Sequence, residues 1–99
     1  VAELVIAAVV TRFAYLEKDY PVALEYADKY LEQWMWLESN KEKALALMQL
    51  DFPSYYTEEY FLSTLYAGAV SANRLDDYQQ AMKYWNLFPW KKEGFDAKE

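Results

Sequence analysis

The sequence predicts an all-α fold, and three of its features lead to that prediction. The 99-residue chain contains only two Gly and three Pro, so few positions break a helix or form a tight turn. Its long segments are rich in Ala, Leu, Glu, Lys, Gln and Met, which favour helix over strand. Apolar residues recur at three- and four-residue spacings, which place them on one face of a helix. We therefore expect about five helices arranged as antiparallel helical hairpins.

Lys18 and Asp19 mark the predicted boundary between the first two helices. The first runs over about residues 2–18. The second starts at residue 19 or 20 and continues to about Leu37, with Pro21 in its first turn, where a missing N–H costs nothing. Apolar residues line the inner side of both helices, which predicts that they pack together.

Two more helices are predicted from their N-terminal capping residues. Ser39 and Glu42 have the spacing of a capping box, in which each side chain binds a backbone N–H of the other residue, so a third helix begins there. It should end near Leu50, before Pro53. Thr57 is the expected N-cap of a fourth helix, because two glutamates follow it in the positive first turn.

The fifth helix is predicted to begin at Asp76, with Gln79 three residues later, and to stop at Pro89. Beyond it, residues 91–99 are mostly charged, and we expect a frayed C-terminal tail there. Residues 1–90 should form a single domain, because a chain of this length can bury a core without metals or disulfides.

The charge and composition of the chain argue against several function classes. The 16 acidic and 10 basic residues give a formal charge of −6, which disfavours nucleic acid and anionic membranes as partners. With no Cys and no His, the chain lacks the usual nucleophile, the near-neutral acid/base group and the best transition-metal ligands. We therefore expect no catalysis, no cofactor and no metal site.

The N-terminal part of the chain carries the longest apolar run, residues 4–10, which is far shorter than the roughly 20 residues that a membrane span needs. We therefore expect a soluble domain with no transmembrane or targeting segment in view. Because the chain starts at Val1 rather than Met, we expect a processed or excised fragment. The compartment stays undetermined.

The chain contains an internal repeat with an offset of 58 residues. The offset aligns five pairs of identical residues: Asp19 with Asp77, Tyr20 with Tyr78, Ala23 with Ala81, Ala14 with Ala72, and Tyr26 with Tyr84. Two similar helical hairpins separated by an extra helix would produce this pattern, because a repeat unit reuses the same buried contacts.

Each hairpin resembles a tetratricopeptide repeat, whose signature is a small residue in the first helix, an Asp-Tyr turn and an Ala in the second helix, 12 residues after the small one. Two pairs of residues keep that spacing: Thr11 with Ala23, and Ala69 with Ala81. Small side chains there allow the two helices to cross closely. Lys18 and Asp76 stand where the repeat usually has Gly. The resemblance implies a fragment of an α-solenoid that holds a peptide or helix in a groove.

The middle of the chain is the candidate binding site, because large apolar residues are crowded there. Four of them are consecutive in residues 34–37, and consecutive side chains of a helix lie about 100° apart, so they cannot all face one core. Either this section is the centre of the core, or part of it is an exposed patch that binds a partner. The candidate partner-binding residues are Trp34, Met35, Trp36, Met48, Phe52, Tyr55 and Tyr56.

The leading interpretation is a protein–protein interaction module that binds an apolar or basic peptide or helix through this aromatic and Met surface. A second interpretation is an engineered binder built on a natural helical scaffold, and a third is a structural domain that forms a homodimer. An enzyme would need a polar cleft with convergent carboxylates. Glu25, Asp28 and Glu32 share one face of the second helix, but Lys29 lies among them, so we interpret that face as a solvated surface.

Overall fold

Helices make up almost all of the described part of the chain. The computed structural model describes residues 2–40, 42–43 and 58–88, and no strand occurs among them. Four helices are defined: α1 (Ala2–Leu16), α2 (Tyr20–Ser39), α3 (Glu58–Arg74) and α4 (Tyr78–Asn86). The predicted all-α fold class is therefore confirmed. The four helices form two antiparallel hairpins, α1 with α2 and α3 with α4.

The second hairpin packs on the first through α3. That helix lies against both α2 and α4 and also touches α1, whereas α1 packs mainly along α2. Two groups of buried residues result, one between α1 and α2 around Leu4 and Tyr30, and one between α2, α3 and α4 around Leu65 and Tyr84. Phe61 on α3 packs against both groups and so joins the two hairpins.

The two hairpin turns repeat the same backbone geometry at the offset found in the sequence. Lys18 and Asp76 both adopt positive φ angles, of 61° and 59°. In each turn the following backbone N–H donates to a carbonyl five residues earlier, at 2.8 Å: Asp19 to Ala14, and Asp77 to Ala72. This is the Schellman arrangement, in which the left-handed residue satisfies the last carbonyls of a helix. Gly adopts that conformation without the roughly 1–2 kcal/mol that an L residue loses.

The start of the last helix lies one residue later than the sequence predicts. Asp77, rather than Asp76, is the N-cap of α4, and its carboxylate accepts a hydrogen bond from the backbone N–H of Gln80 at 3.3 Å. The predicted pair of Asp76 with Gln79 is wrong because the left-handed Asp76 belongs to the preceding turn. The helix ends at Asn86 rather than immediately before Pro89.

The predicted helix boundary at Ser39 is also wrong. Ser39 is the last residue of α2, two residues beyond the predicted end, and Asn40 follows it, with its backbone N–H donating to the Leu37 carbonyl at 3.2 Å. Glu42 is helical, as is the residue after it. The predicted end of the third helix near Leu50, Pro53 and the Thr57 cap all lie outside the described residues, as does the predicted tail.

Small side chains dominate the buried part of the described chain. Nine alanines are buried: Ala7, Ala8, Ala14, Ala23, Ala27, Ala67, Ala69, Ala72 and Ala81. Gly68, Thr11 and Ser71 are buried as well. Because the distance between two packed helices depends on the side chains at the contact, these small residues let the helices approach closely.

Helices α3 and α4 are in close contact at Gly68. Tyr84 of α4 is fully buried, and its ring lies directly over Gly68 of α3. A Cβ atom at position 68 would come within 2.8–3.0 Å of three ring carbons of Tyr84. Carbon atoms pack at about 3.5–4.0 Å, so no side chain fits at this position unless the ring moves.

We predict that Gly68→Ala lowers the free energy of unfolding by about 1–3 kcal/mol, because it overpacks this contact. In an unobstructed helix the same change would raise stability by about 1 kcal/mol, so the sign is diagnostic. Chemical denaturation followed by circular dichroism measures it. Asn73→Ala, at an exposed position of the same helix, is the control and should change stability by less than about 0.5 kcal/mol. Gly68→Ala that is as stable as the unaltered chain would contradict the packing.

Candidate functional site

The crowded segment at the end of α2 divides between the core and the surface. Trp34 is partly buried, and its ring stacks on Tyr30 at 6.1 Å and on Phe61 of α3 at 4.5 Å between centroids. Met35 and Trp36 point outward and remain 54% and 49% exposed. Of the other candidate residues, Met48, Phe52, Tyr55 and Tyr56 lie outside the described part of the chain.

Met35 lies beside a groove between α2 and α4. The groove has a volume of about 620 Å³, and we call it the Met35 groove, defined by its lining residues: Asp28, Leu31, Glu32, Met35, Lys83 and Leu87. The four α2 residues follow the spacing of a single helix face, with two turns of the helix between the first and the last. Leu31, Met35 and Leu87 supply the apolar part of the groove.

A second cavity adjoins the Met35 groove at Leu87. It has a volume of about 440 Å³ and lies where the end of α2 faces the start of α3. Trp34, Phe61 and Leu62 supply its apolar part, and Glu38 and Glu58 also line it. The two cavities together form an apolar surface with glutamates among its lining residues.

One wall of the Met35 groove is a polar cluster that connects α2 to α4. The carboxylate of Asp28 accepts hydrogen bonds from the Tyr84 hydroxyl, from the Gln80 side-chain amide at 3.2 Å and from the Lys83 ammonium group at 3.5 Å. Three donors from one helix therefore converge on a single acceptor of the other. The Asp28 carboxylate therefore links α2 of the first hairpin to α4 of the second.

Tyr84 is held in its neutral form by this environment. Burial raises its pKa above the ordinary value of 10.0, and the hydrogen bond to the Asp28 carboxylate and the negative charge of that group raise it further. Because the hydroxyl stays protonated, it remains a donor to the carboxylate. This one hydrogen bond between the hairpins therefore depends on the protonation of Tyr84.

The acidic residues that sequence analysis placed on a solvated face of α2 make two different kinds of contact. Glu25 lies 3.9 Å from Lys29, and Asp28 faces the three donors of α4. In the described part of the chain, no group of three or more His, Cys, Asp and Glu residues could hold a metal ion.

A second exposed surface, between α1 and α3, was missed by the sequence analysis. We call it the Arg12 groove; it has a volume of about 490 Å³ and is lined by Arg12, Tyr15, Leu16, Ser63, Tyr66 and Ala67. The Arg12 guanidinium donates to the Ser63 hydroxyl at 2.6 Å and lies 4.4 Å from the centroid of the Tyr60 ring. Phe13 and Leu16 are both strongly exposed on α1. The available signal was that α1 carries apolar residues on more than one face.

Comparison with known proteins gave no match to a family model, to a curated protein or to a solved structure. None of the helices in residues 2–40, 42–43 and 58–88 is long and apolar enough to cross a membrane. The chemistry of the two surfaces is therefore the basis for assigning a function.

We predict that Tyr84→Phe reduces the loss of stability at alkaline pH. Below about pH 10 the tyrosine is protonated in both the folded and the unfolded chain. Above that pH only the unfolded chain releases the proton, because the folded-state pKa is raised. The free energy of unfolding then falls by about 1.4 kcal/mol for each pH unit, and the phenylalanine variant lacks this contribution.

Urea denaturation at a series of pH values between 9 and 12 measures this difference. Lys83→Gln, which removes the cationic member of the cluster and keeps the tyrosine, is the control and should retain the steeper decline. Equal slopes for the unaltered chain and Tyr84→Phe would contradict the raised pKa.

Proposed function

We propose that this chain is a protein-binding module that holds an apolar and basic helix of a partner protein in the Met35 groove, without catalysis. The observation that carries the proposal is the half exposure of Met35, which lines an apolar groove, and of Trp36, the next residue of α2. Met and Trp are enriched in protein interfaces, because the Trp ring buries a large apolar area at a low entropic cost and the flexible Met side chain adapts to the surface of a partner.

The exposed side chains favour a binding role over a solvated surface. Burying apolar area gains about 25 cal/mol per Å², so the exposed parts of Met35 and Trp36 are a source of binding free energy. Leu31 and Leu87 extend the apolar contact along the groove. A partner helix would reach all of them through apolar residues that recur every three or four positions.

The charges around the surface favour a basic partner. Glu32, Glu38 and Glu58 line the two adjoining cavities. Lys83 is the one cation among the described residues that line the Met35 groove, and it lies 3.5 Å from the Asp28 carboxylate, which offsets its charge. Lysine or arginine residues flanking the apolar face of a partner would therefore be attracted to this rim and to the net charge of −6.

The tetratricopeptide resemblance stays a prediction, and it agrees with this proposal because such arrays hold peptides or helices in a groove. The resemblance does not indicate where on the surface the groove lies. The position of the proposed site between α2 and α4 is inferred from the exposed residues. Homodimerisation through the same residues is the competing use of the surface, and the experiment below separates the two.

The test uses a labelled synthetic helix with leucines on one face and lysines on both flanks, and fluorescence anisotropy as the readout. We predict that it binds the full chain, and that Trp36→Ala and Met35→Ser each weaken binding about tenfold or more, as expected for interface anchors. Phe13→Ser is the matched control, because Phe13 is 66% exposed and lies on α1. It should bind the helix as the unaltered chain does.

Two outcomes would overturn the proposal. The first is no measurable binding of the lysine-flanked helix, or a Phe13→Ser variant that weakens binding as much as Trp36→Ala and Met35→Ser do, which would indicate non-specific hydrophobic binding. The second is self-association of the unaltered chain in sedimentation that is lost in Trp36→Ala, together with displacement of the helix by a second copy. That result would assign the surface to a homodimer.

A further inference from the structure

The Arg12 groove is apolar at its centre and lacks carboxylates. Tyr15 and Leu16 of α1 and Tyr66 and Ala67 of α3 supply the apolar part, and no acidic residue lines the groove in the described part of the chain. Tyr66 is 49% exposed, so an aromatic ring faces solvent there. The chain as a whole carries a charge of −6, so a carboxylate-free surface is a distinct local environment.

One arginine lines this surface and a second lies beyond it along α3. Arg12 is a lining residue of the groove, and the Arg74 guanidinium is 5.9 Å from the centroid of Tyr20. The Tyr20 ring meets Tyr15, a residue of the groove, at 6.4 Å between centroids. Among the described residues neither arginine forms an ion pair, whereas Lys29 and Lys83 each lie within 4.0 Å of a carboxylate.

Each of the two guanidinium groups lies against an aromatic ring before any partner arrives. Arg12 is the more firmly held of the two, since it has the hydrogen bond to Ser63 in addition to the ring of Tyr60. A group that is already ordered loses less conformational entropy when it binds an anion, so its attraction is more effective.

The aromatic centre of the groove is also fixed by packing. The Tyr66 ring contacts Tyr15 at 6.3 Å and Trp85 of α4 at 5.9 Å, both in edge-to-face geometry. Burial and the neighbouring Tyr66 raise the pKa of the Tyr15 hydroxyl, which therefore stays neutral in this packed position. The groove therefore presents a packed aromatic centre next to Arg12, and Arg74 lies farther along α3.

The positions on α3 that lie near the two arginines have a defined separation along that helix. Ser63, which accepts the hydrogen bond from Arg12 of α1, and Arg74 are eleven residues apart on α3. Eleven residues make about three turns and span roughly 16 Å, so both positions lie on one face of α3. A partner helix lying alongside α3 would have the same rise and would present its own residues at the same interval.

We propose that the Arg12 groove binds a second partner segment, an apolar helix that carries two carboxylates about three turns apart. The apolar residues between the carboxylates contact Tyr66 and Leu16, and each carboxylate pairs with one arginine. This site selects the opposite charge from the Met35 groove and is independent of the function proposed for that groove. The chain would then join a basic helix and an acidic helix on different faces.

The experiment uses the full chain and a labelled synthetic helix of about 15 residues, with leucines on one face and two glutamates eleven residues apart on that face. Three comparison peptides keep the leucines: one has lysines in place of the glutamates, one has glutamines, and one has the second glutamate moved by two positions. We expect the glutamate helix to bind most tightly in anisotropy measurements. Its affinity should fall with added salt, because partly exposed charges are screened.

Arg12→Gln and Arg74→Gln should each weaken binding of the glutamate helix by about threefold to tenfold, and the double variant should bind it no better than the glutamine helix. Lys29→Gln is the matched control, because it removes the same charge from α2 and lies away from the groove. It should leave the affinity unchanged. Circular dichroism of each variant verifies that the helices are intact.

The proposal is overturned if the glutamate helix does not bind, if the lysine or glutamine helix binds as tightly, or if the shifted glutamate has no effect. It is also overturned if Lys29→Gln weakens binding as much as the arginine variants do, or if Arg12→Gln abolishes self-association of the chain in sedimentation, which would make a second copy the occupant. Failure of the lysine-flanked helix at the Met35 groove would reject the proposed function and leave this result unaffected.

Discussion

The close approach of the helices through small side chains is the constraint on which the rest of this structure depends. Nine buried alanines and Gly68 bring the helices together, and the ring of Tyr84 fills the remaining space against Gly68. An interior formed in this way has little volume for large groups. In a chain that is 19% aromatic, part of the ring-bearing side chains must therefore lie at the surface.

The exposed apolar surfaces differ from one another in the charged residues that surround them. The Met35 groove and its neighbouring cavity are lined by glutamates, whereas the Arg12 groove has Arg12 and no carboxylate among its lining residues. The polar cluster at Asp28 ties α4 to α2 and so fixes the wall of the first groove. The contacts that pack the hairpins together therefore also determine the geometry of the proposed binding surface.

Local rules predicted most of the fold from the sequence, and they failed where a neighbouring element decides the outcome. The helix content, the hairpin turns and the 58-residue offset are local or periodic features. Asp is a common N-cap residue, but the left-handed backbone of Asp76 places it in the turn, and Asp77 is the N-cap instead. Helix geometry predicted that some of residues 34–37 face outward. It could not predict which ones, because the inward position of Trp34 is determined by stacking on Phe61 of α3. The Arg12 groove joins residues 51 positions apart, which no periodicity reveals.

The most direct test of this account compares the solvent exposure of two tryptophans that are two residues apart. The chain contains four tryptophans, and two variants would each keep one of them, Trp34 or Trp36, with phenylalanine at the other three positions. Acrylamide quenching of their fluorescence should be several-fold stronger for Trp36, because it lies at the surface while Trp34 is stacked between two rings. Equal protection of both tryptophans would mean that the small-residue core does not force large rings outward.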